Sequence, residues 1–177
     1  MSRVLSILLI LLFLSGCTNV HYNRVYQLQD NKRIEKLAKM LEQISHDPQE
    51  SQELATLAVT YSKVLANQYN LVSPPLYHNF LVNSGQREKG LCYDFVDDLM
   101  AEIRKHHFKH FRFRWGRANA NRLNEHNVIV VLAPGIPFRE GVILDAWRKS
   151  GILYFIKVKD DPQYTFKPWP KGDIRIN

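Results

Sequence analysis

Apolar and polar positions change rhythm several times along this chain, and each change marks a region. Val4 to Leu14 is apolar apart from Ser6 and follows a single cation, Arg3. The run falls well short of the roughly 20 residues that a membrane-spanning helix needs, so it predicts a cleaved export signal over 1–16. From residue 17 to Asn31 the chain is mostly polar with scattered aromatics and no period, which predicts a tether. Apolar residues then return at helical spacing. Ile34, Leu37, Met40, Leu41 and Ile44 predict a helix over about 32–45. Leu54, Leu57, Ala58, Tyr61, Val64 and Leu65 predict a second over about 49–68. Asp47-Pro48 divides the two, since Asp caps a helix N-terminus and Pro suits its first turn.

Ser73-Pro74-Pro75 ends the helical pattern, and 76–90, with His78, Asn79, Gly85, Gln86 and Gly90, reads as an irregular connection. A third helix is expected over about 91–107, with Leu91, Phe95, Val96, Leu99, Met100 and Ile103 inward. Its acids come early (Asp94, Asp97, Asp98) and its bases late (Arg104, Lys105), as the helix dipole favours. Strand-like runs follow at 111–115, 127–132, 142–147 and 152–158, the last two joined by a turn at 148–151. The chain is therefore expected to be α+β: N-terminal helices, then a cysteine-bearing helix packed on an antiparallel β-meander. Residues 32–177 form one domain in this reading, with a helical part at about 32–70 and a core at about 76–158.

Composition narrows the picture. The 177 residues are 45% hydrophobic and 23% charged, which suits a globular domain and excludes wholesale disorder. The formal charge of +7 favours anionic partners. Two cysteines are too few for a disulfide scaffold. The stretch Phe111-Arg112-Phe113-Arg114-Trp115-Gly116-Arg117 looks like a basic, aromatic nucleic-acid patch, but a strand with one apolar face explains it better, and no nucleic-acid partner is expected.

The first cysteine closes the apolar run as Leu14-Ser15-Gly16-Cys17, which resembles the lipobox of bacterial lipoprotein signals. The resemblance implies cleavage before Cys17, lipid on its thiol and new amino group, and a protein held on a membrane in the cell envelope. Thr18 follows, where Asp commonly marks inner-membrane retention; the resemblance thus implies an outer membrane, facing the periplasm.

The second cysteine, Cys92, then has no partner in its own chain. It sits at the expected N-terminus of the third helix, where the dipole and free N–H groups favour thiolate and can stabilise an oxyanion. A buried structural cysteine is the alternative. A nucleophilic cysteine needs a base, and the base needs an orienting group. His126 precedes the apolar strand Val128–Leu132, and Asp145 interrupts the apolar run Val142–Trp147. An acid inside such a strand needs a partner. Pairing His126 opposite Asp145 in an antiparallel hairpin centres the turn between Gly135 and Ile136, inside the turn-rich Ala133-Pro134-Gly135-Ile136-Pro137.

Gly90-Leu91-Cys92-Tyr93-Asp94-Phe95, Glu125-His126-Asn127-Val128 and Ile143-Leu144-Asp145-Ala146-Trp147 together resemble the three motifs of the transglutaminase-like branch of papain-like cysteine enzymes. The resemblance implies Cys92 as nucleophile, His126 as general acid/base and Asp145 as the group holding the imidazole. It implies acyl transfer from amides of a peptide, a protein or cell-wall peptide, without metal or cofactor. Asparagine after the histidine and alanine after the aspartate depart from common family patterns. Gln86, six residues before Cys92, has a spacing like that of the oxyanion-hole glutamine in papain-like peptidases. His106, His107 and His110 could suggest a metal site, but flanking Lys105 and Lys109 argue against one. A noncatalytic envelope-binding or structural lipoprotein using the same fold is the rival reading.

Overall fold

The computed structural model describes residues 18–20 and 27–169. The export signal and Cys17 lie outside the described residues. Among those described, no helix is long and apolar enough to cross a membrane.

Helices α1 (Gln27–Ser45) and α2 (Pro48–Gln68) form an antiparallel hairpin. His46 turns the chain with φ of 57°, and Asp47 caps α2 by accepting from the Glu50 N–H at 2.7 Å. Leu37 and Leu41 of α1 are buried against the same core as Leu54, Ala58 and Leu65 of α2. Each such leucine contributes roughly 1.5–3 kcal/mol on burial. Val64, expected inward, is exposed, while the small residues Ala55, Ser62 and Ala66 are buried. The reason is that α2 lies against both α1 and a later helix, and small side chains let three helices approach.

Two expectations change in the next region. A two-stranded ribbon pairs β1 (Thr18–Asn19) with β2 (Val72–Ser73), and the Val20 N–H donates to Leu71 O at 2.8 Å. Thr18 and Asn19 are thus sheet rather than tether, and α1 starts at Gln27, ahead of the expected Lys32. The connection expected over 76–90 holds a helix, α3 (Pro75–Asn83). Pro at its first turn suits that start. Because only His78 and Leu81 are buried on it, the sequence shows no core-facing period there.

Helix α4 (Cys92–Ile103) is followed by a short 3₁₀ turn and then β3 (Arg112–Ala118), β4 (His126–Leu132), β5 (Val142–Asp145), β6 (Tyr154–Lys157) and β7 (Lys167–Pro168). The sheet is antiparallel with order β6-β5-β4-β3-β7. Among the described residues the protein is α+β, with four helices and a five-stranded antiparallel sheet. Phe111 and Phe113 are buried in the core, which accounts for the basic, aromatic stretch as a strand and its approach. Strand β4 is buried along its whole length. Ile129 and Val131 face the helices with Phe95 and Leu99; Val128 and Val130 face a second cluster with Val158 and Phe166.

The β4–β5 register pairs Ile129 with Leu144 and Val130 with Ile143. The hairpin is therefore displaced by two residues from direct His126–Asp145 opposition. A two-residue shift keeps both residues on the same face, because side chains alternate with period two. The ribbon β7 was not anticipated, being two residues long and without alternation.

Candidate active site

Cys92 is the first residue of α4, and the chain leading to it is clamped. The Asp94 carboxylate accepts from the N–H groups of both Gly90 and Leu91 at 2.9 Å, stapling the helix start. Gly90 has φ of 129°, and a Cβ there would lie 2.2 Å from His78 Nε2. That buried ring accepts the Val72 N–H on Nδ1 at 3.1 Å and donates from Nε2 to Lys89 O at 2.9 Å. His78 thus ties the β2 strand to the loop before the cysteine. Such a role is invisible in sequence, since it needs α3 to be a helix.

His126 and Asp145 do meet. His126 Nε2 donates to Asp145 Oδ2 at 2.7 Å, and both side chains are about 1% exposed. Asp145 also accepts on Oδ1 from the N–H groups of Trp147 (3.2 Å) and Arg148 (3.0 Å), and on Oδ2 from Arg148 Nε (2.9 Å). Arg148 in turn reaches Asp161 at 2.8 Å and lies over the rings of Tyr154 and Tyr164. Burial alone would push the Asp145 carboxyl upward, but the His126 charge and hydrogen bond, with Arg148, hold it below its ordinary value. Burial likewise disfavours the charged imidazole. The Asp145 charge and hydrogen bond, helped by the Cys92 thiol, outweigh that and raise His126 to about 9. The ring is packed among Trp147, Tyr164 and Phe166, with centroids 4.7–5.8 Å away.

With Nε2 committed to Asp145, His126 Nδ1 is buried and makes no hydrogen bond among the described residues. It is the ring nitrogen free to exchange a proton with sulfur or with a leaving group. Cys92 is among the groups that favour the charged ring, after Asp145.

The residue after the histidine also reaches the cysteine. Asn127 Nδ2 lies 3.6 Å from Cys92 Sγ and 3.3 Å from Glu125 Oε1, while its Oδ1 accepts from Trp115 Nε1 at 2.7 Å. An indole nitrogen is a donor only, so it must face the amide oxygen; the amide's donor end therefore faces sulfur. The departure from family pattern at Asn127 was the one sequence signal for this contact.

Gln86 is elsewhere. It is exposed, its Nε2 donates to Ser84 Oγ at 3.0 Å, and it lines a surface depression with Arg87, Glu88, Lys89 and Asp98. Six residues are enough to carry the chain around the His78 clamp, so sequence proximity to Cys92 does not become spatial proximity. Two of the three histidines after α4 go to separate acids: His106 Nδ1 lies 3.0 Å from Glu53, and His110 Nδ1 lies 3.3 Å from Asp47 and from Glu50. Among the described residues no group of three or more metal-ligating side chains forms.

Cys92 is 9% exposed. It lines a narrow crevice between α4 and the sheet, with Asn127, Asp145 and Trp147, and the crevice has no room for a water molecule. No protein-family model, curated protein or solved structure matches the chain.

Proposed function

We propose that this chain is an envelope lipoprotein, acylated at Cys17, whose Cys92–His126–Asp145 site performs thiol-dependent acyl transfer in the manner of transglutaminase-like, papain-like enzymes. The observation that carries the proposal is the buried His126–Asp145 pair, whose Nδ1 makes no hydrogen bond among the described residues, while the next residue, Asn127, reaches the sulfur of Cys92. In the proposed reaction the Cys92 thiolate attacks an amide carbonyl carbon, and the carbonyl pair moves onto oxygen. Asn127 Nδ2 and the Cys92 N–H, one of the first-turn groups that a helix leaves unpaired, are donors for that oxygen. Collapse breaks the C–N bond, and the leaving amine takes the proton from His126 Nδ1. Water or a second amine then attacks the thioester, giving its proton to His126 and returning the thiolate. Water makes the protein a peptidase or amidase; an amine makes it a cross-linking transferase. The substrate class is an amide of a peptide, protein or cell-wall peptide.

The test is labelling by iodoacetamide at neutral pH. Fast labelling of Cys92 that drops when His126 is replaced by Gln supports the site. Slow labelling, equal in parent and H126Q, overturns it. The tight crevice favours a second reading, a noncatalytic envelope protein with a sealed thiol. That reading requires the slow, His126-independent result.

A further inference from the structure

Helix α3 stands out for what it lacks. Its residues, Pro75–Asn83, include no charged side chain, since His78 is buried and neutral in its bonding. Its inner side holds the site together: His78 clamps the loop before Cys92, and Asn79 Oδ1 accepts from Trp147 Nε1 at 2.9 Å, beside the His126 ring. Its outer side carries Leu76, 72% exposed, Phe80, 58% exposed, and Tyr77 stacked on Phe80. These three are spaced by three and four residues and form one stripe. Tyr93, next to the nucleophile, is exposed as well.

The chain itself says what covers this stripe. Thr18 pairs with Ser73, two residues before α3 begins, and the ribbon is antiparallel. Cys17 is one residue before Thr18, so it lies within about 4 Å, one Cα step, of a residue fixed beside the start of α3. Lipid on Cys17 is therefore attached one residue from the ribbon that leads into α3. Tyrosine and uncharged apolar side chains are those that settle at the bilayer–water boundary. Arg87 supplies the complementary charge. It lines a depression with Asn19, Val20 and Leu71, donates to the carbonyls of Asn70 and Gln86, and makes no ion pair among the described residues.

We infer that Leu76, Tyr77 and Phe80 form a membrane-contact surface that seats α3 in the headgroup region of an anionic phospholipid bilayer. Gly90, two residues before Cys92, packs on His78 at the inner side of α3, so a membrane on the outer side of that helix brings Cys92 close to the lipid surface. Its acyl substrate is then one displayed at the lipid surface. The inference rests on the acylation of Cys17 proposed above.

The test uses the full-length chain, made in a Gram-negative host and reconstituted in vesicles of phosphatidylethanolamine and phosphatidylglycerol. An environment-sensitive nitrobenzoxadiazole label is placed at F80C, at Y77C as a second position, and at K39C as a control, all in a C92S background. Lys39 is exposed and paired with Glu35. The expected result is a blue shift at positions 80 and 77 on adding vesicles, none at position 39, and an acylated N-terminal peptide by mass. Acylated protein whose α3 labels stay in water overturns the contact surface and leaves the lipid anchor standing. So does a shift already present without vesicles, which means a second copy covers the stripe, or an equal shift at position 39. A mature protein without lipid on Cys17 overturns the anchor and the contact surface together.

Discussion

The two halves of the candidate site are built differently. At the carboxylate end, Asp145 receives four donors, from His126, Trp147 and Arg148, and the arginine is itself braced by Asp161 and two tyrosine rings. At the sulfur end, the directional approach is the long 3.6 Å one of Asn127 to Cys92. A base must keep one orientation through a reaction, so its holder is over-determined. A nucleophile must exchange partners, and a weakly held sulfur leaves it free to do so. In the proposed reaction the contrast also locates what would have to move: the crevice at Cys92 would open for a substrate, whereas the Asp145 end need not.

The largest effect should come from breaking the rigid half. Asp145→Ala strips the partner from buried His126 and from Arg148, and should cost about 3–5 kcal/mol of stability in urea unfolding. Cys92→Ala should leave stability within about 1 kcal/mol while abolishing iodoacetamide uptake and any amide turnover. Equal destabilisation by the two variants would erase the contrast.

A pH series is the next test. His126 is raised above its ordinary 6.5, so its contribution to stability is full below that value and is lost as pH climbs through about 9. Asp145 is lowered from 3.8, so its contribution is present above that value and is lost as pH falls through its lower one. The parent's melting temperature should therefore drop between pH 7 and 10 more than that of H126Q. Parallel curves would mean that no proton is held by the pair. Loss of the His126 proton in the same interval should also give catalysis an alkaline limb near pH 9.

The smallest and sharpest comparison sets Asn127 against Gln86. Removing an oxyanion donor costs about 10²–10³ in kcat. Asn127→Ala should approach that loss on an amide substrate, and Gln86→Ala should leave the rate unchanged. The reverse result would move the oxyanion site to the loop before His78.

Several features were legible because they depend on local rules. The helical periods of α1, α2 and α4, the strand runs of β3 to β6, and a cysteine placed at a helix start all follow from short-range spacing and capping. The pairing of His126 with Asp145 was also legible, because an acid in an apolar strand must find a partner, and a two-residue register error leaves the face unchanged. Helix α3 was not, since its apolar residues face outward and break the amphipathic signature. Gln86 was misplaced because spacing along a loop carries no direction.

The sequence by itself determined helices α1, α2 and α4, strands β3 to β6, the α+β order and the demand that Asp145 be paired, since propensity, periodicity and the cost of a buried charge act residue by residue. Only the tertiary structure decided that Asn127 rather than Gln86 reaches the sulfur, that His78 clamps the cysteine loop, and that Thr18 is joined to the strand before α3. Those contacts link positions far apart in the chain, and their existence depends on how the sheet, the ribbon and the helices pack, which local spacing does not encode.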